Sequence, residues 1–337
     1  MTVEMRAYAK TAVNVIRYCP GQVVAVLDST NEGRTSQALF NIGGDIPVVS
    51  SVEQVADANT LLIGIAVQGG QLPREWRETI LTAISKKMNV ISGMHEFLSD
   101  DAEFAAAARE HGVDLIDVRK NDEFGGVTRQ GIREDCLRIH TVGNDCSVGK
   151  MVAAYELHLG LKQAGHDTKF VATGQTGIMI EGEGCPIDCV VSGFVSGAAE
   201  RLVLKNQHHD ILVVEGQGSL LHPRFSGVTI GLLHGCMPHG LILCYEAGRT
   251  AYRRMESIPL PSLRKILEVN ETMANLMCPC RVIGVAVNTR RLSRDESEQE
   301  KARLRDEFQL PVCDVYKDGC TELVEAVLKL KSDRDTS

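Results

Sequence analysis

The sequence lacks the surplus of basic residues that is typical of proteins that bind nucleic acids or anionic membranes. Its 337 residues contain 36 Lys and Arg against 44 Asp and Glu, so the formal charge is −8 with neutral histidines. The basic stretches are short, and we predict that Arg253-Arg254 and Lys329 to Lys331 lie on solvated faces of helices. We therefore expect neither a nucleic-acid partner nor a membrane partner.

The sequence also lacks long apolar runs. None approaches the roughly 20 residues that are needed to cross a bilayer, and Met1 to Val13 lack the apolar core of a secretion signal. The eleven cysteines are scattered along the chain, and neither Cys185/Cys189 nor Cys278/Cys280 has the two-residue spacing of a zinc knuckle. We interpret them as reduced, inert thiols and expect a soluble, cytoplasmic protein.

Short runs rich in Val and Ile alternate with longer segments of helical period, a pattern that is typical of parallel α/β units. In the first part of the chain it predicts strands at Val23 to Leu27, Val48 to Ser50, Leu61 to Ala66, Asn89 to Ser92 and Val113 to Val118. It predicts helices at Thr35 to Phe40, Pro73 to Lys87 and Ala102 to His111. This part is predicted to be Rossmann-like, although no G-x-G-x-x-G fingerprint of dinucleotide binding follows its first strand.

The polar stretch Lys120 to Gln130 separates this part from a second series of apolar runs. That series predicts strands at Leu137 to Val142, Thr168 to Thr173, Ile211 to Val214, Leu241 to Tyr245, Val282 to Asn288 and Pro311 to Val315. The length also suggests about two domains. We predict an α/β protein with a Rossmann-like parallel sheet in residues 1–130 and a second α/β domain in residues 131–337.

The first strand of the second domain leads into a loop, Asn144 to Gly149, that is followed by Lys150 and a segment of helical period. Such a phosphate loop points backbone N–H groups at a phosphate, places it at the positive end of a helix and adds a lysine charge. Its spacing departs from G-x-x-x-x-G-K-[ST], because Gly143 lies one position too early. The predicted cofactor-binding residues here are Asn144, Asp145, Cys146, Ser147, Val148, Gly149, Lys150 and Met151.

Met151 stands where a P-loop enzyme normally has the Ser or Thr that holds magnesium. A thioether is a poor ligand for that hard ion. We therefore predict a P-loop NTPase-like doubly wound sheet that holds a phosphate without a tightly bound metal.

Two candidate catalytic residues follow the predicted strand Ile211 to Val214. The carboxyl ends of neighbouring strands converge in a doubly wound sheet, so we expect Glu215 to face the phosphate loop. Glu215 can hold a metal, orient a ligand or act as a general base. His222 can accept a proton or merely satisfy a loop carbonyl.

Other strand ends add polar side chains to the same edge of the sheet. The Gly-rich stretch that begins at Gly174 lets the backbone approach a ligand closely. An arginine can grip a carboxylate in a fork, although a surface pair with glutamate explains a single arginine equally well. An Asn at such a strand end is placed to read a purine edge. We predict Gln175, Thr176, Arg224 and Arg249 at the substrate, and Asn288 and Arg290 at the cofactor.

Taken in order, the motifs Gly143 to Lys150, Thr173 to Gly177, Glu215 to Ser219 and Asn288 to Arg290 resemble those of a bacterial family long regarded as uncharacterised. Its members join an N-terminal Rossmann-like domain to a C-terminal P-loop domain, and some are D-glutamate N-acetyltransferases. The resemblance covers nearly the full length. It implies transfer of acetyl from acetyl-coenzyme A to the amine of D-glutamate, the first step of D-glutamate catabolism, in a homo-oligomer.

The resemblance also implies roles for the predicted residues. Lys150 and the loop N–H groups would hold the coenzyme phosphates, Glu215 or His222 would be the base, and the two substrate arginines would bind the glutamate carboxylates. A thioester is already activated, so its cleavage needs no magnesium, in agreement with Met151. The preference for D-glutamate over L-glutamate comes only from the resemblance.

Two other functions fit the residues. The phosphate loop also resembles that of dethiobiotin synthetase, which suggests an ATP- and magnesium-dependent ligase or kinase acting on a small carboxylate. In that case Asp145 and Glu215 would supply carboxylates to the metal. A nucleotide-sensing protein without turnover is the third possibility.

Overall fold

The computed structural model describes residues 9 to 336. The chain forms two compact units. The N-terminal unit consists of the chain up to Asn121 together with Ile178–Cys189, and the C-terminal unit consists of Asp122–Gly177 together with the chain from Val190 onwards. None of the helices in the described part of the chain has the length and apolarity to cross a membrane.

The N-terminal unit is built from short parallel strands and short helices. Its strands are β1 (Val26–Leu27), β2 (Val48–Val49), β3 (Thr60–Leu62), β4 (Asn89–Ser92) and β5 (Leu115–Asp117), and its helices are α1 (Lys10–Tyr18), α2 (Ser36–Phe40), α3 (Arg77–Ser85) and α4 (Ala102–His111). Strands β1 and β2 pair in one parallel sheet, and β3, β4 and β5 form a second one in that order. All five predicted strands and all three predicted helices of this part are present, most of them shorter than predicted.

Helix α4 shows how local sequence fixes these elements. It begins after Asp101, whose carboxylate accepts hydrogen bonds from the backbone N–H groups of Glu103 and Phe104, and such a cap stabilises a helix by about 1 kcal/mol. It ends at Gly112, which has a φ of 67°, a conformation that only glycine adopts without strain. Between these ends Phe104 is fully buried and packs in one hydrophobic core with Ile80 of α3.

The C-terminal unit contains a six-stranded sheet. Its strands are β6 (Leu137–Gly143), β7 (Thr168–Val171), β8 (Ile211–Val214), β9 (Gly240–Glu246), β12 (Arg281–Asn288) and β13 (Val312–Cys313), with a hairpin of β10 (Ala251–Tyr252) and β11 (Met255–Pro259). The helices are α5 (Lys150–Gln163), α6 (Gln175–Glu181), α7 (Val195–Asn206), α8 (Ser226–Cys236), α9 (Leu263–Asn275), α10 (Arg294–Phe308) and α11 (Thr321–Asp335). Helix α6 begins in this unit and ends in the N-terminal unit.

The six-stranded sheet is parallel throughout, in the order β13-β12-β9-β6-β8-β7. Strands β6, β8 and β9 are buried along their whole length, as expected of a parallel sheet with both faces covered. The parallel sheets of both units confirm the predicted α/β class.

Strand β6 lies at the point where the strand order reverses. The chain passes from β6 to β7 and β8 on one side, and then to β9, β12 and β13 on the other. Ligands of doubly wound sheets bind at such a point, outside the carboxyl ends of the strands. The loops that follow β6, β8, β9 and β12 carry most of the predicted site residues.

One prediction of helical structure was wrong. Arg253-Arg254 form the turn of the hairpin, in which Tyr252 pairs with Met255, and Arg254 has the positive φ of 65° that tight hairpin turns require. The charge pattern does not reveal this, because strand pairing across the turn decides the local structure. Lys329 to Lys331 lie in helix α11, as predicted.

Candidate active site

The phosphate loop is a tight connection between β6 and α5. Ser147 has a φ of 57° and Gly149 a φ of 115°, so a side chain at Gly149 would be strained. Gly143 belongs to β6, where a Cβ atom would lie only 2.8 Å from the carbonyl oxygen of Cys244. The close approach of the neighbouring strand therefore explains why a glycine stands one position before the usual one. The loop ends at the N-terminus of α5, whose first N–H groups have no intrahelical partners.

Lys150 is buried at the start of α5, with 6% of its surface exposed. Its Nζ donates a 2.8 Å hydrogen bond to the backbone carbonyl oxygen of Asp145, a neutral acceptor. Burial lowers the pKa of the Lys150 ammonium. A buried charge with a neutral partner is unfavourable, so an anion in the loop would stabilise this lysine.

Asp145 connects the phosphate loop to the segment after β9. Its carboxylate is fully buried and accepts hydrogen bonds from the backbone N–H of Cys146 at 2.6 Å, from Arg249 Nη1 at 2.6 Å and from the Arg253 backbone N–H at 2.8 Å. Arg249 also donates to the Cys146 carbonyl oxygen at 3.0 Å, and its side chain is 6% exposed. Arg249 therefore holds the loop in place, and its predicted contact with the substrate stays a prediction.

Glu215 directly follows β8 and is buried. Its Oε2 accepts hydrogen bonds from the backbone N–H groups of Thr173 at 3.0 Å and Gly174 at 3.1 Å, and its Oε1 accepts one from Gln217 Nε2 at 3.1 Å. The carboxylate is thus held at the adjacent ends of β7 and β8. This is the edge of the sheet where the sequence predicts it.

Gly174 in the loop after β7 and Gly177 in α6 make room for this carboxylate and for the Gln217 amide that it binds. A Cβ atom at Gly177 would lie 2.5 Å from Glu215 Oε2, and one at Gly174 would lie 2.5 Å from Gln217 Nε2. Gln175 and Thr176 lie between these glycines at the start of α6, and each is 8% exposed. Their predicted contact with the substrate stays a prediction.

His222 is buried beside Asp145. Its Nδ1 accepts a 3.0 Å hydrogen bond from the Arg224 backbone N–H, so the proton of the neutral ring is assigned to Nε2. Nε2 lies 3.5 Å from Asp145 Oδ1. Burial lowers the pKa of His222, and Asp145 partly opposes this. The ring is therefore neutral at neutral pH, with its lone pair already engaged by a backbone N–H.

Comparison with known proteins divides the chain into two domains, as the structure does. Residues 124–324 match a P-loop domain described as a domain of unknown function, DUF1611, and residues 29–121 match the Rossmann-like N-terminal domain of the same family. The first match covers more than half of the chain. The chain belongs to the DUF1611 family.

Individual relatives extend this finding. A protein named D-glutamate N-acetyltransferase from a Pseudoalteromonas species is 39% identical over 270 residues, 79% of this chain and 80% of that protein. A protein of the same name from Tritonibacter scottomollicae is 38% identical over 279 residues, 81% of this chain and 82% of that protein. A crystal structure of a DUF1611 family protein from Anabaena variabilis is 35% identical, with a TM-score of 0.90 over 96% of this chain and 95% of that chain. The two-domain bacterial family predicted from the motifs is confirmed.

The predicted purine reader, Asn288, lies at the end of β12. It lines a small cavity together with Val148, Gly149, Val152, Asp314 and Tyr316, among others. Its Oδ1 accepts a 3.2 Å hydrogen bond from the Arg290 backbone N–H, and its predicted contact with a purine stays a prediction. This cavity joins the phosphate loop to the end of β12, and Met151 is partly buried in the first turn of α5 nearby.

Two buried polar atoms at this edge of the sheet have no hydrogen-bond partner among the described residues. They are Asn144 Oδ1 in the phosphate loop and Ser219 Oγ in the loop after β8. An unsatisfied buried group costs about 1–3 kcal/mol, which a ligand or a water molecule relieves. Ser219 was not among the predicted site residues, because a hydroxyl in a loop gives no sequence signal of its own. Arg224, one of the predicted substrate-binding residues, is exposed to solvent.

Two groups of side chains within residues 9–336 are close enough to share a metal ion. In the N-terminal unit they are His95, Asp188 and Cys189, where Cys189 Sγ lies 3.3 Å from His95 Nδ1. Arg119 already supplies a positive charge there through its ion pair with Asp188. Burial raises the pKa of the Cys189 thiol, and all eleven cysteines are free thiols.

The second group lies in the phosphate loop and consists of Asp145, Cys146 and His222. The carboxylate of Asp145 is already bound by Arg249, and the ammonium of Lys150 is close by. These positive charges disfavour a cation at this position. The prediction that no metal is tightly bound stays a prediction.

Proposed function

We propose that the protein is a D-glutamate N-acetyltransferase that takes its acetyl group from acetyl-coenzyme A and acts in D-amino acid catabolism. The observation that carries the proposal is the phosphate loop, in which the buried ammonium of Lys150 bonds a neutral carbonyl at the start of α5. The names of the two relatives support the amino-acid substrate and the acyl transfer.

The residues present fit a coenzyme with several phosphates. Lys150 and the N–H groups of Ser147, Val148 and Gly149 would hold the pyrophosphate, since the N–H groups of Asn144 and Cys146 are bonded to Cys244 and Asp145. Asn288 would bind the purine with its side-chain N–H groups. Acetyl-coenzyme A supplies an activated thioester, so no phosphoryl group has to move. Met151 in place of a magnesium-binding hydroxyl is then no obstacle.

Glu215 is the acceptor of the amine proton in this proposal. The ammonium group of glutamate must lose a proton before the amine attacks the thioester carbonyl. Peptide N–H groups orient Glu215 through Oε2, and the amide of Gln217 donates to Oε1. His222 has its Nδ1 lone pair engaged and acts as an orienting group for Asp145. The exposed Arg224 binds a substrate carboxylate.

Product analysis tests the proposal. Metal-free protein is incubated with acetyl-coenzyme A and a panel of D- and L-amino acids, with a parallel reaction that contains ATP and magnesium. Formation of N-acetyl-D-glutamate without ATP is the expected result. Release of ADP or phosphate only with substrate, and no acetylated product, would reject it in favour of a ligase. Light scattering on the same sample checks the predicted homo-oligomer.

A pair of variants tests the assignment of the base. Glu215→Gln keeps an oxygen that accepts the Thr173 and Gly174 N–H groups, although its NH2 group replaces the acceptor of the Gln217 amide. Its turnover is expected to fall by roughly 10²–10⁴-fold, the usual contribution of a general base, with coenzyme affinity unchanged. His222→Asn is the matched control and should keep most of its turnover. If His222→Asn loses turnover and Glu215→Gln does not, His222 is the base.

A further inference from the structure

Arginine side chains crowd around one buried carboxylate at the end of β9. Glu246 is fully buried and forms an ion pair with Arg249. Its Oε1 also accepts hydrogen bonds from Arg290 Nε at 3.0 Å and Nη2 at 2.8 Å. The same oxygen lies 2.7 Å from Arg291 Nε. More than half of the side-chain surface of Arg290 and of Arg291 is nevertheless exposed, at 54% and 57%. One carboxylate therefore holds three guanidinium groups, and two of them face solvent.

The charges in this region do not balance. Arg253 lies in the adjacent hairpin turn, and we call it, with the three arginines at Glu246, the arginine cluster. Burial lowers the pKa of Arg253, and neighbouring arginines add to the effect. The second carboxylate within the group is Asp145, which binds Arg249. Four guanidinium groups against two carboxylates leave an excess of two positive charges, and a guanidinium does not lose its proton in a protein. An anion bound at the two exposed arginines would reduce the mutual repulsion of these charges.

The arginine cluster adjoins the purine position of the proposed function. Asn288 is separated from Arg290 and Arg291 by one and two residues, and the Arg290 backbone N–H donates to its Oδ1. Coenzyme A carries a phosphate at the 3′-position of the same ribose that bears adenine. A purine at Asn288 places this phosphate within reach of the arginines that follow it in the chain. ATP and dephospho-coenzyme A lack this group.

We propose that Arg290 and Arg291 bind the ribose 3′-phosphate of coenzyme A and thereby select it over nucleotides without that phosphate. The proposal rests on the proposed function for the identity of the coenzyme. Arginine suits this task, because its planar fork binds two phosphate oxygens at once. Arg249 stays bound to Asp145 and Glu246, and Arg253 supplies background charge.

Calorimetric titration with coenzyme A and with dephospho-coenzyme A tests the site without any turnover. The wild-type protein should bind coenzyme A at least about 10-fold more tightly, the effect of one charge-assisted hydrogen-bond pair. The double variant Arg290→Ala/Arg291→Ala should bind both compounds with the affinity that the wild type has for dephospho-coenzyme A. Arg281→Ala is the matched control, since Arg281 lies at the opposite end of β12 and pairs with Asp333 on the surface. Its preference should equal that of the wild type.

Further outcomes of the titration distinguish failure of the 3′-phosphate site from failure of the proposed activity. Equal binding of the two compounds by the wild type, binding of neither, or an unchanged preference in the double variant would each overturn the site. If the double alanine variant does not fold, because the buried Glu246 has lost its partners, the variant Arg290→Lys/Arg291→Lys is used, since it keeps both charges. It should prefer coenzyme A over dephospho-coenzyme A less strongly than the wild type does. An undiminished preference counts against the site. A protein that prefers coenzyme A but makes no N-acetyl-D-glutamate has the site and lacks the activity.

Discussion

Replacing Lys150 by Met should make the ligand-free protein more stable and abolish coenzyme binding. The variant loses the hydrogen bond from Nζ to the Asp145 carbonyl, which contributes about 1.5–3 kcal/mol when the donor is charged. It also removes the burial of an ammonium ion, whose desolvation costs several kcal/mol. Met has nearly the same length and no charge. We therefore expect the free energy of unfolding to rise by about 1–3 kcal/mol, with a Tm increase of roughly 2–4 °C per kcal/mol.

The same burial gives the stability difference a defined pH dependence. The pKa of Lys150 is lower in the folded chain than in the unfolded chain. Between the folded-state pKa and the unfolded value near 10.5, the unfolded chain binds more protons, so wild-type stability rises with pH. The Met variant lacks this rise. Its advantage is therefore largest below the folded-state pKa and shrinks as the pH approaches about 10.5.

Thermal unfolding of both proteins at neutral and alkaline pH, with and without coenzyme A, measures these effects. Coenzyme A should raise the Tm of the wild type, because a ligand that binds only the folded state stabilises it, and should leave the variant unchanged. A Lys150→Met protein that melts below the wild type at neutral pH without ligand would refute the reasoning. It would mean that the carbonyl bond outweighs the burial of the charge.

Two further predictions concern the loops of the same site. Gly216→Ala places a Cβ atom 1.7 Å from the Thr141 carbonyl oxygen and should destabilise the protein by more than about 3 kcal/mol. The control Gly227→Ala meets no atom within 4 Å and should change stability by less than about 1 kcal/mol. Urea unfolding measures the free energy of unfolding of both variants. Asp145→Asn weakens the bond to Arg249 and should cost about 1–3 kcal/mol while raising the KM for acetyl-coenzyme A, which steady-state kinetics measures.

Each of these predictions has an outcome that contradicts it. Equal stability of the two alanine variants would mean that β6 and the loop after β8 can move apart without loss. An Asp145→Asn variant with wild-type KM would show that the phosphate loop keeps its shape without its link to the segment after β9.

Much of the fold follows from short-range patterns in the sequence. The predicted strand Ile211 to Val214 is observed with the same bounds, because four consecutive apolar residues bounded by polar ones have few alternatives to a buried strand. The positions of Glu215 and Asn288 can also be predicted from the sequence, since each is the polar residue at the end of a strand in a parallel sheet. The turn at Arg253-Arg254 was missed because it depends on the pairing of two short strands.

The partners within the site are less predictable. Arg249 binds Asp145, which is 104 positions away in the sequence, and a lone arginine gives no indication of which carboxylate it meets. The same applies to His222, whose Nδ1 is engaged by a backbone N–H only two residues on, a consequence of loop conformation. Residue type predicts which chemistry is available, and the three-dimensional arrangement decides which atoms remain free to perform it.

The membership of Ile178–Cys189 in the N-terminal unit affects the order in which this unit is synthesised. The ribosome completes β6, α5 and β7 before it adds this segment, so the N-terminal unit acquires its last piece only after much of its neighbour has been synthesised. In that unit, Asp188 pairs with Arg119 and the Cys189 carbonyl accepts from Asn121. A gene fragment that stops at residue 121 leaves both contacts unmade. Such a fragment lacks part of its own unit, and we expect it to be less stable than the same unit within the full chain.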